Sequence, residues 1–497
     1  MSSHPEQRRI DARRATAVSG SGRWAWTLLC AASTLACQGD PSAELEPGPS
    51  VAPSQTLEFG GPGFQEPTSI AAHDERVVIG GLYADGLTYG DFTATGGGGL
   101  DGFVLGVSPD GTFHFAHQLS GSGDDGVLDL AVDEQGNTFI GGHASEGAEL
   151  DGTALDVGPE GAALVAKLAR DGRLEWVATA ASSGSQSVTA VVASEGAVYC
   201  AGDFTAELDF GLGPSTASDG GDAFVARFSA AGELEWLRVL GGAGIQVAQS
   251  LALGPDGAVL VGGAFGEQLT IDDEEGTLNH GLSQTPFLAS FEPTGALRWL
   301  QSQVIPHVHP PGADHGGHAE HAEHAEATSG THAQMHTYVE KLSMAGTASG
   351  GALALVAYGE FFSRHGQDFE APAVSTLAVG HMDAVGSMVA REKFENPSSL
   401  IQIGNVVPIG EDMFLLASWT GELAIEERAF VSSGRRSLLL SRVGDDGALL
   451  DARHFGVEHA GLTGHDAASA GGSLWVAARS MDPVTNEQDV FVARFEP

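Results

Sequence analysis

The 497-residue sequence predicts an all-β protein: a ring of seven four-stranded antiparallel blades, closed by its own N-terminal strand. Three observations carry this reading. A strand–turn–strand pattern recurs near residues 103, 164, 224, 287, 377, 438 and 491, most clearly as Asp222-Ala-Phe-Val-Ala-Arg-Phe228 followed by Gly232-Glu-Leu-Glu-Trp236. Self-similarity at a fixed period of about 60 residues marks a repeat architecture. The two ends of the chain are complementary: the last copy, Asp489–Phe495, stops before its second strand, and Leu57-Glu-Phe-Gly-Gly61 supplies that strand at the start. Finally, 70 glycines with 42% hydrophobic and 18% charged residues are too apolar for disorder and too glycine-rich for long helices.

Taken in chain order, residues 1–36 read as a secretory leader. Arg8, Arg9, Arg13, Arg14 and Arg23 precede the apolar run Trp24–Ala36, which would rise only about 20 Å as a helix, short of a bilayer core of about 30 Å. The run ends Thr34-Leu35-Ala36-Cys37, which resembles a bacterial lipobox and marks Cys37 as the lipidation site; ordinary cleavage nearby is the alternative. Residues 37–55, rich in Pro, Ser and Glu, are expected to form a solvated tether. The expected location is therefore the outer membrane or cell surface of an exported lipoprotein, with the membrane met through the lipid anchor alone.

Residues 56–497 hold the blades. Ser69-Ile-Ala leads to Val78-Ile-Gly-Gly81, Asp129-Leu-Ala-Val to Phe139-Ile-Gly-Gly142, Thr189-Ala-Val-Val to Tyr199-Cys-Ala-Gly202, and Ser250-Leu-Ala-Leu to Leu260-Val-Gly-Gly263; weaker copies end at Gly359, Ala417 and Ala478. Short apolar runs broken by turns such as Asp110-Gly111, Asp171-Gly172 and Asp256-Gly257 are hairpin signals. Two hairpins per unit make a four-stranded blade, and blades stacked face to face bury both sheet surfaces. Trp176, Trp236 and Trp299 share one repeated position and are expected to pack between blades. The combination I-A-x-x, x-V-x-G-G, D-A-F-V-A-(K/R)-F and G-x-L-x-W resembles the seven-bladed β-propeller repeats of bacterial secreted and surface proteins. That resemblance implies the propeller fold and export, and no single activity.

The regular spacing is broken once, by an insertion at about 305–337. It carries eight of the chain's nineteen histidines, His307, His309, His315, His318, His321, His324, His332 and His336, interleaved with Asp314, Glu320, Glu323 and Glu326. Neutral imidazoles ligate zinc, copper or nickel, so these eight are candidate metal ligands; a low-complexity surface insertion is the competing reading. No other cofactor is expected.

Chemistry elsewhere is sparse. A formal net charge of −42 repels phosphate backbones and excludes nucleic acid as a partner. Cys200 falls in an inner strand and is expected to be an inert core thiol. Gly121-Ser-Gly-Asp-Asp-Gly126 fits the dinucleotide-loop pattern, but its two aspartates would repel a pyrophosphate, and it reads as a connector between blades. Asp129, Thr189, Ser250, Lys341 and Gln402 begin innermost strands and are candidates to face the central channel, with no catalytic role assigned. The leading expectation is a monomeric binding or scaffold module with a protein or glycan partner at the cell envelope. The alternatives are a metal-binding envelope protein acting through the His-rich loop, and a hydrolase or lyase with its site in the channel.

Overall fold

A computed structural model describes residues 46–497 apart from 303–333, Pro497 and shorter stretches of one to five residues. From residue 47 onward the chain is a seven-bladed β-propeller. Blade 1 comprises strands 65–73, 76–83, 101–107 and 113–120; blade 2, 126–132, 138–144, 162–168 and 174–180; blade 3, 186–194, 197–204, 222–228 and 234–241; and blade 4, 246–253, 259–265, 285–291 and 297–302. Blade 5 follows with 334–346, 352–364, 375–382 and 388–396, and blade 6 with 401–409, 412–419, 437–443 and 449–455. Blade 7 takes 461–470, 473–481 and 488–495 from the C-terminus and its outermost strand, Gln55–Phe59, from the N-terminus. That strand runs antiparallel to the last one, with Leu57 opposite Val492 and Phe59 opposite Val490, and closes the ring as the sequence predicts.

Seven clusters of buried side chains fill the seven spaces between neighbouring blades. The Gly-Gly repeat has a steric origin. The first glycine (80, 141, 262) faces the inner strand of the next blade, where a Cβ would strike Val127 and Leu130, Val188 and Val191, or Leu342 and Met344. The second (81, 142, 263) sits against a main-chain carbonyl of its own inner strand, that of Glu66, Gly126 or Val247, where the ladder slips by one residue. A bulge bends the strand and leaves one residue unpaired, so the repeat encodes a bulge in each of these inner strands.

The three tryptophans pack between blades as expected. Trp176, Trp236 and Trp299 donate through Nε1 to Ala230, Pro293 and Ala384 in the next blade, at 3.0, 3.0 and 3.2 Å. Each ring lies on a turn glycine of that blade, Gly232, Gly295 or Gly386, whose φ of +81° to +85° also excludes a side chain. Cys200 is fully buried and free, with burial pushing its thiol pKa upward, in line with an inert core position.

Two expected boundaries shift. The tether assigned to 37–55 is already fastened to the propeller by Gly48: Gly48 N donates to Ala429 O (2.7 Å), His454 N to Pro49 O (3.0 Å) and Val51 N to His454 O (2.9 Å). Its Pro- and Gly-rich chain lies extended along blades 6 and 7, where the blade edges supply partners for the backbone. The insertion assigned to about 305–337 gives up its end to the inner strand of blade 5, which begins at Gln334; the alternation of Met335, Thr337 and Val339 favours strand over loop. Residues 1–36, Cys37, His307, His309, His315, His318, His321, His324 and His332 lie outside the described residues, and His336 is described through its backbone alone.

Candidate functional site

The seven inner strands surround the propeller axis, and their bulges place polar side chains at one level. Each joint between blades is stitched there by a side chain bonded to the neighbouring backbone. Ile70 N donates to Asp466 Oδ2 (2.8 Å), Leu130 N to Ser69 Oγ (3.1 Å) and Val191 N to Asp129 Oδ2 (2.7 Å). Met344 N donates to Ser250 Oγ (3.1 Å) and Val406 N to Ser343 Oγ (3.1 Å). At the two remaining joints the side chain donates, Thr189 Oγ1 to Ala248 O (2.7 Å) and Asn405 Nδ2 to Ala467 O (2.8 Å). A bulge frees backbone groups from the ladder, and burial demands that they find partners, so Asp, Ser, Thr or Asn is required where the bulge faces the next blade.

Around Ser69 the layer becomes charged. Ser69 Oγ lies 2.9 Å from Asp129 Oδ1 and 2.8 Å from Asp466 Oδ2, and it also accepts from Leu130 N. A hydroxyl has one proton and two lone pairs. It can therefore donate to one carboxylate only, and the other contact requires a proton on the carboxyl group. The electrostatics agree: burial, and then the charge of Asp466, push Asp129 up to about 7, and burial pushes Asp466 up to about 6. The consistent assignment puts the shared proton on Asp129 and leaves Asp466 as the anion, with Ile70 N and Ser69 Oγ donating to it. Lys341 supplies the nearby positive charge; its Nζ donates to His465 O (3.2 Å), and burial lowers its pKa against the pull of both carboxylates.

A second group adjoins the first. Glu66 accepts from Arg479 (Nη1 to Oε2, 2.9 Å) and lies 3.3 Å from His465 Nδ1. Burial and the cations Lys341, Arg479 and Arg436 drive His465 down to about 3, so its ring is neutral at physiological pH. Arg436 Nη1 donates to Gln402 Oε1 (2.7 Å) and Thr463 Oγ1 (3.1 Å). The charged groups of the channel are thus spent on one another and on neighbouring polar groups, and they bind the inner strands together. Among the described residues no three His, Cys, Asp or Glu side chains converge to hold a metal ion.

All five candidate channel residues lie on inner strands, but they do different work. Asp129 and Lys341 belong to the charged cluster, Thr189 and Ser250 are stitches, and Gln402 orients Arg436. Sequence reasoning did not single out Glu66, Ser69, His465, Asp466 and Arg479. The recurring period held a signal for two of them: Ser69 and Asp466 stand at the bulge position that Asp129 occupies in blade 2.

The chain is similar to several solved structures, one of them described as a β-propeller. The structure of YCF48 bound to D1 peptide matches over 91% of this chain and 99% of its own, at 10% identity and a TM-score of 0.40. The β-propeller domain of the Trilobed protease from Pyrococcus furiosus matches over 87% and 95%, at 6% identity and a TM-score of 0.40. The Trypanosoma rangeli sialidase in complex with the inhibitor DANA matches over 90% and 58%, at 12% identity and a TM-score of 0.32. At these identities the likeness concerns the fold and carries no activity. No protein-family model matches the chain, and no curated protein does.

Proposed function

We propose that the protein is a lipid-anchored propeller of the cell envelope that works as a binding or scaffold module rather than as a channel enzyme. One observation favours this over a hydrolase or lyase: Ser69, Asp129 and Asp466 are committed to backbone donors of the next blade and to one another. A reaction centre needs an acid or base free to meet a substrate, whereas these groups hold the ring. Binding then falls to the outer surfaces, where Leu212, Ile245, Val385 and Val484 stand more than half exposed. The Arg-rich leader, the apolar run and Cys37 support export and anchoring.

The test joins both parts of the reading. In cells fed an alkyne fatty acid, the full chain should take up label and fractionate with membranes, and Cys37→Ser should lose the label and leave the membrane. Photo-cross-linkers at Leu212, Ile245, Val385 or Val484 should then trap a discrete species in the anchored protein. Label that survives Cys37→Ser removes the anchor, and the lack of any cross-linked species at all four positions removes the binding reading.

The eight histidines between 307 and 336 favour a second reading, a metal-gathering loop. Zinc, copper or nickel binding should be multi-site and should collapse below pH about 6, where imidazoles protonate. Removing residues 307–333, which spares the blade 5 strand from Gln334, should abolish that binding and leave the unfolding of the metal-free propeller nearly unchanged. Equal metal titrations of the two proteins by calorimetry would leave a plain surface insertion.

A further inference from the structure

We propose that the cleft between blades 1 and 2 binds a small oxyanion, a carboxylate or phosphate group, on the guanidinium of Arg76. The cleft has a volume of about 420 Å³, and its polar wall is formed by His73, Asp74, Arg76, Ser108, His114 and Arg170. It lies where the turns of the two blades meet. His73 and Arg76 flank the first turn of blade 1, Ser108 and His114 the second, and Arg170 follows the third strand of blade 2.

The charge balance of this cleft reverses that of the molecule. The chain carries 65 acids against 23 lysines and arginines, yet here two guanidiniums and two imidazoles share one lining carboxylate. Asp74 is already committed, since Arg170 Nη2 donates to its Oδ2 (3.2 Å) and His73 Nδ1 lies 3.3 Å from the same atom. The Arg76 side chain has no ion pair or hydrogen bond among the described residues. Its Nε is shut off from water without a partner, and its guanidinium lies 5.7 Å over the buried ring of Phe115. Burial, and then the like charge of Arg170, lower its pKa against the opposing charge of Asp171.

An arginine stays charged under these conditions. Stacking fixes its plane and leaves the outer edge of the fork for an acceptor, the geometry that suits carboxylate and phosphate oxygens. His114 Nε2, at 2.6 Å from Ser108 Oγ, orients a hydroxyl on the same wall. The volume exceeds that of a bare anion and has room for a body of sugar size.

Calorimetry at low ionic strength on the full chain tests the site, with inorganic phosphate, glucuronate and uncharged glucose as probes. Phosphate, glucuronate or both should bind, and glucose should not; binding of one anion alone tells a phosphate ester from a carboxylate as the natural group. Arg76→Gln, which keeps a stem over Phe115, should weaken binding about tenfold or more. Asp74→Asn should tighten it severalfold, because it frees Arg170 and His73, and no general loss of structure would produce a gain. The proposal is overturned if no anion binds the wild type, if Arg76→Gln binds as the wild type does, or if Asp74→Asn fails to tighten.

Discussion

Removing residues 55–59 will make the protein aggregate, with a loss of thermal stability larger than any single substitution gives. This strand is the outermost of blade 7, and its backbone pairs with residues 490–494. Without it the strand 488–495 presents an unpaired edge, which recruits other chains. The deletion also empties part of the core between blades 7 and 1. Phe59 is buried there, edge-on to Tyr89 at 5.3 Å and to Phe103 at 6.1 Å. Truncating Phe59 alone to alanine should cost about 3–5 kcal/mol. Size-exclusion chromatography and thermal unfolding of the wild type, Phe59→Ala and the deletion will order the three. A deletion variant that elutes as the wild type does and unfolds near the wild-type temperature would disprove closure by this strand.

The second large effect belongs to Asp129. Asp129→Ala leaves Val191 N without a partner, an orphaned buried group that costs about 1–3 kcal/mol, and strips Ser69 Oγ of one of its three contacts, leaving Asp466 and Leu130 N. Asp129→Asn is the informative variant, since an amide accepts from Val191 N and donates to Ser69 Oγ as the protonated acid does. The pH dependence has a definite sign. Folding raises Asp129 from 3.8 to about 7 and Asp466 to about 6, so across this window the folded state holds more protons than the unfolded one. Their contribution is complete below about pH 4 and is lost as pH rises through 6 and 7. Carboxylates with lowered pKa values, among them Asp256 and Glu292, act in the opposite direction over a more acidic range. The measurement is therefore the difference between wild type and Asp129→Asn in urea unfolding. That difference should be small at pH 5 and should move in favour of the variant by pH 8. A difference that does not vary with pH would mean that no proton is shared at Ser69.

The architecture was legible in the sequence because its cause is local and repeated. Gly-Gly, the Phe-Val-Ala strand and the Trp position each answer a contact that recurs from blade to blade, and even ring closure could be read from the mismatch of the two ends. The charged layer was less legible because it depends on the partner across the joint. Asp129 becomes a protonated acid through Ser69, 60 positions away, and Asp466, which lies 397 positions from Ser69. No window of sequence holds all three. The cleft of Arg76 was hidden for a related reason: what marks it is the lack of an acid beside the guanidinium, and which acids come near is settled by the packing of blade 1 against blade 2.

The closing strand also sets an order of events. Ser54 and Arg494, bonded at this seam, are 440 positions apart. Bringing such distant segments together costs about 5 kcal/mol in chain entropy, a cost that falls once blades 1 to 6 have already drawn the ends close. The first blade strand to be made is thus the last to find its place. At about 5–20 residues per second it waits tens of seconds for its partner to be made. Its borders suit that wait: Pro53 on one side and Gly60-Gly61-Pro62 on the other interrupt any longer ladder that a stray neighbour could extend. A chain slowed late in synthesis should therefore accumulate as an open arc, vulnerable at blade 7 and already native in blades 1 to 4.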